Sequence, residues 1–169
     1  KDLLLMGEVV FAPVPADPRA LYAVSYAISV DQAVVAAIDP QAGVAQWQVP
    51  LSEADAPAAL AIGGGALAIF NGDGLQVVDR TTGQDLWRAT LSDVAPFCRR
   101  SACLTILGDV VVAQTADGFL HGLDLADGDS LWRLELNADA IGFDVVGDRV
   151  VVIDEDGDGD GVLVVVDPS

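Results

Sequence analysis

The stretch VVDRTTGQDLW, residues 77–87, decides the fold because its pattern occurs three times. AIDPQAGVAQW at residues 37–47 and GLDLADGDSLW at residues 122–132 align with it without gaps. Each copy has an aspartate third, a glycine seventh and a tryptophan eleventh, and a fourth copy begins at residue 165 with VVDPS. The third-position aspartates are spaced by 40, 45 and 43 residues, at Asp39, Asp79, Asp124 and Asp167.

A second shared pattern precedes each copy: MGEVVFAP, GGALAIFN, GDVVVAQT and GDRVVVID. Each is a turn containing glycine followed by an apolar, often β-branched run, which predicts a hairpin leading into a strand. Repeats of 40 to 45 residues with four short strands are typical of propeller blades. The sequence therefore predicts an all-β propeller of four-stranded antiparallel blades, with about four blades present and the last incomplete.

The predicted blades form one propeller domain or part of one, and they cover roughly residues 1–51, 57–91, 103–136 and 141–169. We label the strands of a blade A to D from the axis outward. In blade one, the pattern predicts strands at residues 3–6, 8–14, 33–39 and 45–51. The B–C connection of blade one is then predicted to be about 20 residues long, whereas blade two needs only NGDG.

The motif A-x-D-x-x-x-G-x-x-x-W resembles the tryptophan-docking motif of quinoprotein-like, or PQQ-type, β-propeller repeats. The resemblance implies that each tryptophan packs between the first residue of its own motif and the glycine turn of a neighbouring motif. The residues that match these roles are Trp47, Trp87, Trp132, Gly43, Gly83 and Gly128. The family has alanine at the first position, where this sequence has Ala37, Val77 and Gly122, so we expect looser contacts at the last two.

The charge of the chain limits its partners. It has 22 Asp and 4 Glu against 7 Arg and one Lys, a net charge of −18 at pH 7. Such a surface repels phosphate backbones and anionic lipid, which excludes nucleic acid and the inner leaflet as partners. No apolar run reaches the roughly 18 residues that a membrane span requires, so we predict no membrane insertion. Both a cation-binding role and a merely soluble acidic surface fit this charge.

The two cysteines, Cys98 and Cys103, lie five positions apart in PFCRRSAC. A disulfide across so short a loop is sterically possible, and the absence of a leftover cysteine suits an exported protein. The sequence therefore favours an extracytoplasmic location, which means periplasmic, cell-surface or secreted. The alternative is a pair of reduced cysteines in a cytoplasmic protein.

Irregular connections indicate where a partner binds. In antiparallel blades the A–B and C–D turns lie on one face, and the B–C and D–A connections lie on the other. On that second face we predict the long blade-one connection and the blade-two D–A connection SDVAPFCRRSAC. Their aromatic and basic residues form the predicted interaction surface: Tyr22, Tyr26, Phe97, Arg99 and Arg100. The alternatives are a lengthened sheet and an ordinary solvated loop.

The acidic stretch DEDGDGDG is the predicted B–C connection of blade four. Asp156, Asp158 and Asp160 have the opening spacing of an EF-hand loop, in which alternate carboxylates converge on calcium. Asp154, backbone carbonyls and water would complete the site. Asp167 holds the twelfth position but follows a predicted strand, which places it too far away. The alternative is an acidic turn without metal.

No nucleophile elbow, P-loop or zinc motif occurs, and His121 has no acid or nucleophile beside it in the pattern. Quinoprotein dehydrogenases of the resembled family bind PQQ and calcium and typically carry a vicinal disulfide, whereas Cys98 and Cys103 are not adjacent. The sequence therefore predicts a non-catalytic module, without PQQ, that binds a protein partner or ligand through the B–C and D–A face. A second chain that completes the propeller is another predicted partner. The alternative is a fragment of a PQQ- and calcium-dependent dehydrogenase.

Overall fold

The computed structural model describes most of the chain. The described residues are 5–12, 21–27, 32–51, 59–71, 74–91, 103–136, 143–155 and 161–168. Within these ranges the secondary structure consists of β-strands, without a helix. The strands form four antiparallel sheets, and neighbours in each sheet follow one another in the chain.

Each sheet is one blade. Blade one contains β1 (Leu5–Ala12), β2 (Leu21–Ala27), β3 (Gln32–Asp39) and β4 (Val44–Pro50). Blade two contains β5 (Ala59–Gly63), β6 (Ala66–Asn71), β7 (Gly74–Asp79) and β8 (Asp85–Ala89). Blade three contains β9 (Leu104–Leu107), β10 (Val110–Gln114), β11 (Phe119–Asp124) and β12 (Ser130–Glu135). Blade four contains β13 (Phe143–Val146), β14 (Arg149–Glu155) and β15 (Gly161–Val166).

The predicted all-β propeller is confirmed, and the hairpins of blades two to four lie where the glycine turns predict them. Between β5 and β6, for example, Gly64 and Gly65 have φ angles of 53° and 81°. Residues with a side chain rarely adopt such φ angles, so glycine allows the chain to reverse direction within two residues.

Blade one differs from the prediction. The expected turn at Met6 and Gly7 is absent, because β1 continues through these residues with a register shift between Met6 and Val10. Strand B is β2, which pairs along its whole length with β3. The predicted 20-residue B–C connection is therefore wrong: residues 13–20 join A to B, and residues 28–31 join B to C. A single glycine inside an extended run is accommodated by a bulge as well as by a turn.

The core lies between the blades. One cluster joins blades one and two, and its fully buried members include Val35, Ala37, Leu67, Ile69 and Val78. A second joins blades two and three, with Phe70, Val77, Val111, Ala113 and Leu123 among its members. A third joins blades three and four through Val112, Leu120, Phe143, Val150 and Val152. Because each sheet buries apolar side chains on the face toward its neighbour, the blades stabilise one another.

A bulge recurs at the same motif position in blades one to three. The C–D pairing shifts register after Ala37, Val77 and Gly122, the first residues of the three motifs. The residue left out of the pairing is the one before each tryptophan. The tryptophan then pairs directly with the first residue and shares its face of the sheet. Bulges commonly redirect a side chain in this way.

Candidate interaction site

The turn between strands C and D begins with the motif aspartate. In blade two, Asp79 Oδ1 accepts hydrogen bonds from the backbone N–H groups of Thr81 at 2.9 Å and Thr82 at 2.8 Å. The Gly83 N–H donates to the Asp79 carbonyl at 2.8 Å. Hydrogen bonds from Thr82 are the main cause that lowers the pKa of Asp79. Asp is therefore required because its short carboxylate accepts the N–H groups that the turn exposes.

Each tryptophan contacts the corresponding turn of the next blade. We call motif positions three to seven the receiving turn, which covers residues 39–43, 79–83 and 124–128 in blades one to three. Trp47 Nε1 donates to the Arg80 carbonyl at 3.1 Å, and Trp87 Nε1 donates to the Leu125 carbonyl at 2.8 Å. Trp132 Nε1 donates to the Pro168 carbonyl at 3.1 Å. In all three cases the acceptor is the residue after the motif aspartate.

The turn glycines lie directly against these rings. A Cβ atom at Gly83 would be 2.7 Å from the Trp47 ring, and one at Gly128 would be 2.6 Å from the Trp87 ring. Their φ angles of 72° and 81° also disfavour any side chain. Glycine is thus required at these positions for two reasons: the backbone has a positive φ angle, and the ring leaves no space for a Cβ atom.

The expectation of looser contacts at Val77 and Gly122 is wrong. The Trp132 indole occupies the place that a Cβ atom of Gly122 would take, so the ring approaches the backbone more closely there. Val77 is fully buried, and Trp87 is only 9% exposed. The ring position adjusts to the size of its partner residue, which keeps the interface packed.

Tyr22, predicted on an interaction surface, is instead buried between blades one and two. Its hydroxyl donates to the Arg80 carbonyl at 3.2 Å, and its ring centroid lies 5.8 Å from that of Trp47. The prediction failed because β2 is strand B of the blade and not part of a loop. Tyr26 also belongs to β2, but its side chain is outside the described residues.

Seven predicted site residues lie outside the described residues. These are Cys98, Phe97, Arg99, Arg100, Asp156, Asp158 and Asp160. Cys103 is buried and disulfide-bonded. The backbone of Asp154 pairs with Val162 near the end of β14, while its side chain is not described. The predicted calcium loop therefore lies between the ends of β14 and β15.

The fold places a hydroxyl beside His121 and a carboxylate next to that hydroxyl, although the sequence pattern shows neither as its neighbour. Thr115 Oγ1 lies 3.3 Å from His121 Nε2 and 2.5 Å from Asp117 Oδ1, in the B–C turn of blade three. Burial, and then the charge of Arg133, lowers the pKa of His121, while Asp117 opposes this shift. The turn from β10 to β11 brings the three side chains together. The spacing of Thr115, Asp117 and His121 across this hairpin is the sequence feature from which the cluster could have been predicted.

The same end of blade three carries an arginine stacked on an aromatic ring. The Arg133 guanidinium carbon lies 3.4 Å from the centroid of the Phe119 ring, a cation–π contact. The Gln114 N–H donates to the Cys103 carbonyl at 2.9 Å, which joins this end to the D–A connection from blade two. Phe119, His121 and Arg133 thus lie on the face that carries the B–C and D–A connections.

A cleft of about 410 Å³ opens on the opposite face, between blades two and three. Its lining comes from both blades and combines glycine, apolar side chains and two aspartates: Gly64, Ala66, Leu86, Asp109, Asp124, Leu125 and Ala126. Sequence reasoning missed this cleft because it forms between two blades.

Within the ranges that the structure describes, no group of three or more His, Cys, Asp or Glu side chains is arranged to hold a metal ion. In the same ranges we find no helix with the length and apolar character that crossing a bilayer requires.

Solved structures with the same fold include propellers of different kinds. BamB from Moraxella catarrhalis has a TM-score of 0.67 at 19% identity, and the match covers 94% of this chain but 45% of that one. The computationally designed Ika4 protein has a TM-score of 0.68 at 17% identity over 96% of both chains. A europium-containing methanol dehydrogenase has a TM-score of 0.58 at 16% identity, covering 79% of this chain and 26% of that one. The chain thus spans about half the length of the BamB structure.

Comparison with the curated proteins gives no match. The family model described as outer membrane protein assembly factor BamB matches residues 5–96 and, in a second alignment, residues 31–169. With the repeated motif and the four antiparallel blades, these matches show that the chain belongs to this family of PQQ-type β-propeller repeats.

Proposed function

We propose that this chain is a non-catalytic propeller module that binds a protein partner through its B–C and D–A connections. Membership of the BamB-like family supports a scaffold role. The hydrogen bonds between tryptophans and receiving turns hold successive blades together. A scaffold of this kind keeps loops at fixed positions, and the loops then determine what is bound.

The observation that carries this proposal is the stacked pair of Phe119 and Arg133 beside the D–A connection of blade two. Arginine with an aromatic side chain is typical of interface hot spots, and the stacking restricts the guanidinium before binding. The predicted residues Phe97, Arg99 and Arg100 belong to that same D–A connection. We expect the partner to carry carboxylates at the centre of its contact surface, where they would pair with these arginines. Basic residues at the edge of that surface would complement the net charge of −18.

We also propose that further polypeptide completes the propeller, either as additional blades or as a second chain. The chain covers 45% of the BamB structure, so that relative contains about as much polypeptide again. The second candidate function is a part of a PQQ- and calcium-dependent dehydrogenase, since one solved structure with this fold is a methanol dehydrogenase.

We propose an extracytoplasmic location, supported by the disulfide at Cys103 and the family description. Alkylation of thiols in intact cells before lysis tests it. We expect both cysteines to react only after reduction, whereas alkylation without a reductant would contradict this location.

Site-specific photocrosslinking in the source cells tests the contact surface. A photoreactive residue at Phe97 or Phe119 should form a crosslink to a protein partner, whereas one at Leu86, in the cleft of the opposite face, should not. Arg133→Ala should reduce the crosslink. Arg88→Ala is the matched control, because Arg88 has the same motif position but pairs with Asp85 at 2.8 Å.

Crosslinks only from Leu86, or equal effects of the two arginine variants, would refute the proposed surface. Dye-coupled alcohol oxidation after addition of PQQ and calcium would instead support the dehydrogenase candidate.

A further inference from the structure

We propose that the cleft between blades two and three binds a small organic cation, namely an ammonium or guanidinium group on a short hydrocarbon chain. The cleft lies on the face of the A–B and C–D turns, opposite the proposed protein contact surface. This second site is therefore independent of the function proposed above. Its volume of about 410 Å³ is within the range of roughly 300–1,000 Å³ that is usual for small-molecule sites.

The floor of the cleft is apolar and comes from both blades. Ala66 of blade two is 1% exposed, and Leu125 of blade three is 8% exposed. The Leu125 side chain lies against the backbone of Gly64, where any Cβ atom would collide with it. The Leu125 N–H donates to the Asp109 carbonyl at 2.8 Å, and the Leu125 carbonyl accepts from the Trp87 indole at 2.8 Å. These contacts form the cleft before a ligand arrives, which lowers the entropic cost of binding.

Leu86 adds an exposed apolar side chain to this floor. It lies in β8 and is the residue that the C–D pairing of blade two leaves out. It is 50% exposed. A hydrocarbon chain that covers Leu86 removes apolar surface of both molecules from water, which favours binding. The lining therefore suits a ligand with an apolar part.

Two carboxylates belong to the same lining, and the described residues that form it include no basic side chain. Asp109 is exposed, and Asp124 is partly exposed. Asp124 Oδ1 accepts from the Ala126 N–H at 2.7 Å. In the part of the chain that the structure describes, neither aspartate forms an ion pair. The two negative charges are therefore uncompensated within the cleft and attract a cation.

The chemistry of the lining favours an organic cation over a metal ion. Calcium takes about six to eight oxygen ligands, whereas this cleft combines two carboxylates with apolar side chains. An ammonium or guanidinium group forms charge-assisted hydrogen bonds with carboxylates. The hydrocarbon chain that carries it packs against apolar side chains while the charged group stays beside its polar partners. Both halves of such a ligand thus find matching residues.

The corresponding place between blades one and two has different chemistry. The Arg80 N–H donates to the Gly65 carbonyl at 3.0 Å, as the Leu125 N–H does to the Asp109 carbonyl, so the two pairs of turns are equivalent. Arg80 takes the place of the floor leucine, Gly65 that of an aspartate, and Gln46 that of the leucine in β8. The fold itself therefore does not require the combination of leucines and aspartates, which is specific to blades two and three.

An NMR titration of the isotopically labelled 169-residue chain at physiological ionic strength tests the proposal. The probe is n-butylammonium. 1-Butanol is the control without a charge, and ammonium is the control without a hydrocarbon chain. We expect n-butylammonium to shift the amides of Leu86 and residues 124–126, with an affinity at least about tenfold higher than that of either control.

Two pairs of variants locate the site. Asp109→Asn should lower the affinity for n-butylammonium by at least about fivefold, because it removes one of the two charges. Asp148→Asn is its matched control, since Asp148 is an exposed aspartate at the same position of the A–B turn in blade four. Leu86→Ser should also lower the affinity, whereas Leu131→Ser, at the same motif position and equally exposed, should leave it unchanged. Thermal melting checks that the variants are folded.

Three results would overturn the proposal: no shift at residues 124–126 with n-butylammonium, equal binding of n-butylammonium and 1-butanol, or equal effects of the Asp109 and Asp148 variants. The pentapeptide GGKGG presents the same butylammonium group as a lysine side chain. If it binds at least about tenfold more tightly than n-butylammonium, the ligand is a protein segment and the proposed small molecule is wrong. Equal or weaker binding of the peptide supports the small molecule.

Discussion

At the motif glycines, two features each require glycine: the positive φ angle and the indole ring that lies against the residue. Substitutions can distinguish the contributions of these two features. Gly83 and Gly65 have similar φ angles, 72° and 81°, but only Gly83 faces a ring. An alanine at a left-handed position costs about 1–2 kcal/mol. An added methyl group against a packed ring costs a further 1–3 kcal/mol or so.

We therefore expect Gly83→Ala to lower the free energy of unfolding by about 2–5 kcal/mol and Gly65→Ala by about 1–2 kcal/mol. Urea denaturation followed by tryptophan fluorescence measures both. Equal losses in the two variants would show that the Trp47 ring contributes nothing beyond the backbone effect.

The half-buried histidine of blade three predicts a pH dependence. The pKa of His121 is lowered in the folded state by burial first and by Arg133 second. The unfolded chain therefore takes up this proton at higher pH, so His121 stabilises the fold fully above its ordinary pKa of 6.5. This contribution is lost as the pH falls below 6.5 through the folded pKa.

When the pH is lowered from about 7.5 to about 5, the melting temperature of the native chain should fall by more than that of His121→Gln. The variant removes the titrating group while the carboxylates, which also titrate at low pH, remain the same. Parallel curves would mean that His121 is equally easy to protonate in the folded and unfolded chains.

At the scale of strands and their connections, the repeated bulge explains how one motif works in three different sequences. Leu86 and Leu131, the bulged residues, are both half-exposed, so they contribute little to the core. Their insertion instead places Trp87 and Trp132 opposite the first motif positions. The spacing of four residues between glycine and tryptophan is therefore the feature that the sequence conserves across its own repeats.

The connection from β14 to β15 predicts a calcium effect. If Asp154, Asp156, Asp158 and Asp160 bind calcium with a dissociation constant near ~10⁻³–10⁻⁴ M, about 5 mM calcium should stabilise the fold by about 1–2 kcal/mol. The melting temperature should rise accordingly, and Asp158→Asn should abolish the rise. Removal of calcium with a chelator should reverse it.

Asp148→Asn is the matched control for this calcium experiment, because Asp148 is an exposed aspartate in the neighbouring turn between β13 and β14. It should keep the full calcium response. An unchanged melting temperature in the native chain would leave the loop as an acidic turn without metal.

At the scale of the whole molecule, the net charge of −18 opposes a compact fold through self-repulsion. Salt screens this repulsion, since the Debye length falls from roughly 30 Å at 10 mM to roughly 3 Å at 1 M ionic strength. We expect the melting temperature to rise steadily between low and high sodium chloride.

Choline chloride is the control for this salt effect, because its large cation is a poor ligand for carboxylate clusters but screens charge equally well. It should give the same rise as sodium chloride. A rise with sodium alone would point to specific cation binding, and no rise with either would show that the acidic residues are too far apart to repel.

The sequence by itself determined the repeat, the blade architecture and the strands of blades two to four. These depend on local chemistry, namely alternation along a strand, aspartate and glycine in tight turns, and one tryptophan per repeat. Such features act over a few residues and can be read without knowing what lies beside them.

Only the tertiary structure decided that β2 is strand B of blade one and that Tyr22 is buried. A glycine such as Gly7 permits either a turn or a bulge, and the choice depends on which neighbouring strand gains more pairing and burial. The sequence also did not indicate which carbonyls accept hydrogen bonds from the indole N–H groups, because every residue has a backbone carbonyl. Tertiary structure selected those of Arg80, Leu125 and Pro168 by bringing consecutive blades into contact.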